Sequence, residues 1–285
     1  MNRPGSVLIT GASTGIGHAT ALHLDQCGWN VYAGVRKESD GEVLRKDASD
    51  RLRTLHLDVT DQDSIEGAIS AIREGGSGLD ALVNNAGISV NGPLEFIQLS
   101  EMRRMFDVNF FGLVAMTQAA LPLIRETTGR IVHIGSMGGR HALPLIGAYC
   151  ATKHAIEAIG EAQRRELSPW GIEVVVIEPG SVATPVWEKA RDAAAARQTS
   201  RSPREAELYG PAIDVVTKRV QGAERSAISP EEVAKVVEKA LTVPRPQPRY
   251  LVGKDAKLHA RMARLLSDRL RDKVVLRAMK YPRRL

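Results

Sequence analysis

The segment that most restricts the possible fold runs from Ser6 to Cys27. It opens with an apolar run, Ser6-Val7-Leu8-Ile9-Thr10, that reads as a strand. Seven residues holding three glycines follow, Gly11-Ala12-Ser13-Thr14-Gly15-Ile16-Gly17. From Gly15 to Cys27 apolar residues recur at helical spacing. Strand, glycine loop and helix in that order start a βαβ unit able to receive a dinucleotide. Gly11 allows the tight turn and Gly15 lets the backbone approach a pyrophosphate. Gly17 brings helix against strand, and Ser13, Thr14 and Ile16 complete the loop at the helix N-terminus, where anions are held. The spacing is GxxxGxG, not GxGxxG. Taken alone, such a loop also fits a purely structural turn.

The rest of the chain continues the alternation. Strands are expected at Asn30–Val35, Arg51–Leu57, Leu79–Asn84, Arg130–Gly135, Ile172–Glu178 and Arg249–Val252. Helices are expected at Asp61–Glu74, Ser100–Thr127 with Pro122 as a potential break, Ala148–Ser168, and from Ser229-Pro230 onward. Continuous apolar strands suit a sheet buried on both faces. The alternation predicts an α/β fold: a Rossmann-type doubly wound parallel sheet with right-handed crossovers, in one domain spanning 1–253. Residues 185–228 interrupt the rhythm with Pro185, Pro203 and Pro211. They read as a mobile or helical insertion, a substrate loop over the sheet's edge.

Charge is unevenly distributed. Residues 254–285 hold eleven Lys or Arg against three Asp, a net of +8, within a chain whose total is +6. The body is therefore near neutral, and nucleic acid is not an expected partner. The tail reads as a basic helical extension, either a solvated face or a peripheral membrane contact. Two cysteines, Cys27 and Cys150, in unrelated contexts argue for a reducing compartment. With an N-terminus that leads directly into a strand and no run of eighteen apolar residues, a cytoplasmic location is expected. The seven histidines show no ligand spacing, so no metal site is expected.

Two positions carry a Tyr-x-x-x-Lys spacing: Tyr149 with Lys153, and Tyr250 with Lys254. The second pair spans an expected strand, where residues four apart lie about 13 Å from each other. The first lies in an expected helix, where such residues share a face. A free phenol has a pKa of about 10, and an adjacent ammonium favours the phenolate. Such a phenol can exchange a proton with a carbonyl or alcohol oxygen. Ser136, at the end of the preceding strand, either holds that oxygen or caps a turn. The second strand ends in Val35-Arg36-Lys37, without the acid an NAD-selective fold places there. Arg36 and Lys37 either grip a 2′-phosphate or open a solvated loop. Asn84-Asn85-Ala86-Gly87 either leaves room for the adenosine side of a cofactor or forms an ordinary turn. Leu143, Leu145, Ile146, Val186 and Trp187 either line an apolar substrate pocket or belong to the core.

Thr10–Gly17, Asn84–Gly87, Asn109, Ser136, Tyr149, Lys153 and Pro179-Gly180-Ser181-Val182-Ala183-Thr184 together resemble the short-chain dehydrogenase/reductase family. The match runs in order from about residue 5 to residue 253, and the glycine spacing resembles the family's single-domain branch. Val31–Arg36 and the basic extension resemble hydroxysteroid and retinol dehydrogenases.

The resemblance implies a catalytic tetrad. Tyr149 is its acid/base and Ser136 positions the carbonyl. Lys153 depresses the tyrosine pKa and binds ribose, and Asn109 holds a water in a proton relay. Beside the glycine loop, Arg36, Lys37, Tyr149 and Lys153, it implies cofactor contacts at Asp58, Val59, Asn85, Ala86, Gly87, Pro179, Gly180, Val182 and Thr184. The expected cofactor is NADP(H), with NAD(H) the alternative. The expected substrate is a bulky apolar carbonyl or alcohol contacted by Ser136, Leu143, Tyr149, Val186 and Trp187. The expected assembly is a homodimer or homotetramer. A non-catalytic NADP-sensing protein, or a membrane-surface protein on the same fold, is the competing reading.

Overall fold

A computed structural model describes residues 4–76, 78–184, 202–224 and 227–282. Seven strands form one parallel sheet in the order β3-β2-β1-β4-β5-β6-β7. They are β1 (Ser6–Ile9), β2 (Asn30–Val35), β3 (Leu52–His56), β4 (Ala81–Asn84), β5 (Arg130–Ile134), β6 (Glu173–Pro179) and β7 (Arg249–Val252). Side chains alternate between the two faces. Val7 and Ile9 point to one core and Leu8 to the other. Helices α1 (Gly15–Gln26) and α8 (Pro230–Thr242) cover the first face through Ala21, Leu24, Val233, Val237 and Leu241. Helices α3 (Gln62–Glu74) and α5 (Gly112–Thr127) cover the second through Ile65, Ile69, Ile72, Met116, Ala120 and Ile124. Strand order reverses between β1 and β4, and a doubly wound sheet receives its ligands at such a switch point.

The expected doubly wound sheet is thus present, with departures in its helices. Helix α2 (Glu38–Lys46) was not anticipated. Its sequence is polar and it buries only Gly41 and Leu44, so it carries almost no apolar stripe. The long helix expected at 100–127 is α4 (Leu99–Phe106), then a π-helical turn over Asp107–Phe111, then α5. The irregularity falls at this turn and not at Pro122, which remains inside α5. Proline removes a bond to the carbonyl four residues earlier. Here Pro122 and Gln118 are both exposed, which leaves that carbonyl open to water.

The insertion contains helix α7 (Pro203–Glu224), following α6 (Gly147–Glu166) in the helical series. Its Tyr209 donates to Glu95 Oε2 at 2.9 Å and packs edge-on against Phe96. The tail forms α9 (Lys254–Leu265) and α10 (Asp268–Ala278), which bury Ala256 and Val275 against the body. Among the described residues, Leu99–Thr127 is long and apolar enough to cross a membrane by length and composition alone. Its α5 portion is a core helix packed on the sheet.

Candidate active site

Tyr149 and Lys153 lie one turn apart near the start of α6. The Lys153 ammonium sits 5.7 Å from the centroid of the Tyr149 ring and donates to the Ile134 carbonyl at 2.8 Å. Ser136 follows β5, caps a short 3-10 turn by accepting from Gly138 N at 3.1 Å, and lies near enough to the Tyr149 phenol to lower its pKa. The cap reading of Ser136 is therefore met, and the same side chain stands close to the Tyr149 ring. The other pair divides as expected: Tyr250 lies in β7 and Lys254 opens α9, with Gly253 between them at φ +103°.

The electrostatics depart from the sequence reading. Although Tyr149 keeps some exposure, desolvation pushes its phenol up to about 12, against the opposing bond from Ser136. Lys153 is buried, and desolvation draws it down to about 8 while Glu157 pulls it upward. In the protein alone, the lysine does not produce a phenolate. The cost of desolvating either charge outweighs their mutual effect. Glu157, one turn beyond Lys153, pairs with Arg249 of β7 at 2.9 Å, and Arg249 also reaches Glu161 at 3.1 Å. Buried Glu178 pairs with Arg140 at 2.6 Å.

Asn109 occupies the π-helical turn and is buried. Its Oδ1 accepts from Ile88 N at 2.8 Å, and its Nδ2 donates to Ile88 O at 2.9 Å and to Thr152 Oγ1 at 3.0 Å. Thr152 in turn donates to the Tyr149 carbonyl. Asn109 thereby fastens the segment after β4 to the helix that carries the tyrosine.

The glycine loop lies beside this cluster. Gly11 and Gly15 have φ of +65° and +61°, which disfavour any side chain. Thr14 caps α1 with extended backbone; Ser13 precedes it in the loop, and Ile16 lies in the first turn of the helix. Asn85 braces this loop: its Nδ2 donates to the carbonyls of Thr10 and Gly11, both at 3.0 Å. The amides of Asn85 and Ala86 donate to Thr10 Oγ1, and Gly87 adjoins Asn109. Arg36 and Lys37 are exposed at the end of β2. Asp58 follows β3. Burial raises its carboxyl, but bonds from Thr60 and the nearby Arg36 and His56 outweigh this and hold it below the usual range. Val59 is buried against Gly112.

A family model described as short chain dehydrogenase matches residues 6–195. The chain belongs to the short-chain dehydrogenase family. It is similar to the NADPH-dependent 3-dehydrocapnine reductase of Ornithobacterium rhinotracheale, 32% identical over 96% of each chain. It is also similar to retinol dehydrogenase 5 of Mus musculus, 37% identical over 94% of this chain and 87% of the relative. A solved short-chain dehydrogenase from Streptomyces avermitilis superposes with a TM-score of 0.78 at 27% identity, covering 98% of this chain and 97% of that one. As a member of this family the protein is an oxidoreductase.

The loop after β6 holds the remaining expected contacts of this family site. Gly180 N donates to Val252 O, and Val182 bridges Ile228. Pro179 ends β6 and Thr184 is half-buried. Sequence reading missed the anchor of this loop. Asp255, in the first turn of α9, accepts from Ser181 N at 2.7 Å. It lies so close that a Cβ on Gly180 would fall 1.9 Å from its Oδ1. The start of the supposed tail is therefore part of the site's support. Leu143 is half-buried between Ser136 and α6, and neighbouring Leu145 has φ +66°, unusual for a branched residue. Leu94, exposed, meets Gly147 at the head of α6 and adds an apolar rim residue. Val186 and Trp187 lie outside the described residues.

Proposed function

We propose that the protein is an NADP(H)-dependent oxidoreductase that interconverts a ketone and a secondary alcohol on a bulky apolar substrate such as a steroid or retinoid. The observation that carries this reading is the Tyr149 phenol, close to Ser136 and one helical turn from a buried Lys153. The protein's surfaces suit a dinucleotide: positive-φ glycines at Gly11 and Gly15, an open helix N-terminus, and a β2 end bearing Arg36 and Lys37 without an acid. Those cations, and the NADPH dependence named for one relative, support the phosphorylated cofactor. Bound there, the nicotinamide supplies or accepts the hydride.

The chain's own residues handle the proton. Tyr149, held as a neutral phenol, donates to a substrate oxygen that Ser136 also bonds. Lys153, fixed on Ile134 O, places a positive charge below the ring and favours the phenolate left behind. Asn109 and Thr152 keep α6 in register with the segment after β4. Leu143 and Leu145 precede α6 and Leu94 meets its first residue, offering apolar surface at the head of the helix, and α7 reaches the loop before α4 through Tyr209. The exposed Leu99 and Phe111 on the α4–α5 face support homo-oligomer formation through this face.

Oxidation of NADPH and of NADH is measured against steroids, retinal and small ketones, for the wild type and Tyr149→Phe. Turnover with the apolar carbonyls and a 10²–10⁴-fold loss in the variant are expected, roughly the range for general acid catalysis. Dinucleotide binding without turnover, unchanged in Tyr149→Phe, favours a sensing module instead.

A second reading concerns location. Leu258, Leu265 and Leu270 are exposed on α9 and α10 among the extension's cations, which suits a peripheral contact with anionic lipid. Complete deletion of the extension would also remove Asp255. The informative variant is Leu265→Glu with Leu270→Glu, which should abolish vesicle co-sedimentation and spare turnover. Undiminished lipid binding rejects the contact.

A further inference from the structure

Ligand spacing along the chain gives no hint of a metal site, because the groups that converge come from opposite ends of the sequence. His23 and Cys27 are four residues apart at the end of α1, and therefore share one helix face. Helix α8 packs beside α1 and brings Glu238 against that face. His23 Nε2 lies 3.0 Å from Glu238 Oε2 and 3.8 Å from Cys27 Sγ. The three donor atoms all lie within 4.8 Å of one another, and all three residues are part-buried.

We infer that His23, Cys27 and Glu238 form a binding site for a zinc-like divalent transition metal, tying the end of α1 to α8. The separations suit the ion. Zn–N, Zn–O and Zn–S bonds of about 2.0–2.3 Å in a tetrahedron set ligand atoms about 3.3–3.6 Å apart. Shifts of a few tenths of an ångström bring the two His23 pairs into that range, and the Cys27–Glu238 pair, within 4.8 Å, closes further as both side chains turn toward the ion. One imidazole nitrogen faces both a carboxylate and a sulfur, and its single proton serves only one of them, whereas a shared cation engages all three. Imidazole, thiolate and carboxylate together select zinc or cobalt over magnesium or calcium. Partial exposure leaves a path for the ion and room for a water as fourth ligand.

The Glu238 carboxylate attracts a cation, but the sulfur must lose a proton to bind one. Burial, and secondarily the Glu238 carboxylate, raise the Cys27 thiol, so the metal-free protein holds it protonated. The cation reverses both effects, and a proton leaves as the sulfur binds. His23 is eight residues beyond Gly15, about 12 Å along the helix at 1.5 Å per residue, so the site is separate from the glycine loop.

Chelator-treated full-length protein is titrated with Co²⁺ and then with Zn²⁺. One equivalent of cobalt with a thiolate-to-metal charge-transfer band is expected, displaced by zinc. Zinc should raise the unfolding temperature, increasing with the logarithm of its free concentration over Kd. Cys27→Ser should remove the band, Glu238→Gln should weaken cobalt binding by at least about tenfold, the lower bound seen even for partners that only orient a ligand, and Cys150→Ala should keep the band. Absence of a thiolate band in the wild type, or its persistence in Cys27→Ser, overturns the site and leaves a His23–Glu238 ion pair. The readout is independent of dehydrogenase turnover.

Discussion

Gly17→Ala sets two physical effects against each other. In the interior of a helix, Ala is favoured over Gly by about 1 kcal/mol. Propensity therefore predicts a stabilised α1. The tertiary structure predicts the opposite. A Cβ at Gly17 would lie 2.3 Å from the Gly11 carbonyl oxygen and 2.4 Å from Asn85 Nδ2. Carbon and oxygen normally approach to about 3.3 Å, so a gap of roughly 1 Å must open. Neither neighbour retreats freely, since Asn85 Nδ2 is bonded to the carbonyls of both Thr10 and Gly11. Losing those two bonds costs about 1–3 kcal/mol together, and overpacking adds about 1–3. After the propensity gain, a net loss of about 1–5 kcal/mol remains. Gly67→Ala is the control: it lies in α3 with nothing within 4 Å of its added Cβ, and should gain up to about 1 kcal/mol. Urea unfolding reads the stability of both variants, and NADPH titration reads the loop. A Gly17→Ala protein as stable as wild type, with undiminished dinucleotide affinity, refutes the close-approach argument.

Asp255→Ala removes a charge-assisted bond to Ser181 N and should cost about 1.5–3 kcal/mol, measured by denaturant unfolding; a neutral variant means the loop is held by Val182 and Ile228 alone. Arg36→Asp should lower the NADPH-to-NADH affinity ratio by an order of magnitude or more, roughly the weight of one charge-assisted contact; an unchanged ratio makes the cation a bystander. Lys153 provides a pH test, because its folded pKa of about 8 lies below its value in the unfolded chain. Between the two values the unfolded chain binds a proton that the folded protein does not. Relative to Lys153→Met, wild-type stability should therefore rise from pH 8 toward about 10.4, the free-lysine value. A flat or falling difference shows that the ammonium is not desolvated in the fold.

The strands, the glycine loop and the Tyr149–Lys153 pair were legible because each is local. β-Branched apolar runs, glycines before a helix and a four-residue helical spacing are consequences of backbone sterics and periodicity. Helix α2 escaped because a peripheral helix that buries two residues leaves no stripe to read. The π-helical turn at Asn109 escaped because one residue added to a helical turn has no compositional mark.

Other features depended on distant parts of the chain meeting. Asp255 reaches Ser181 across 74 residues, Arg249 reaches Glu157 across 92, and Glu238 reaches His23 across 215. The charge state of Tyr149 is of the same kind. Sequence alone places an amine one turn away, but burial around the phenol is the sum of many packed elements, and it raises the pKa that proximity was expected to lower. Sequence by itself determined which groups the site contains, because steric and helical rules act over a few residues. Only the tertiary structure decided how those groups are braced and charged, because desolvation and ion pairing act through space.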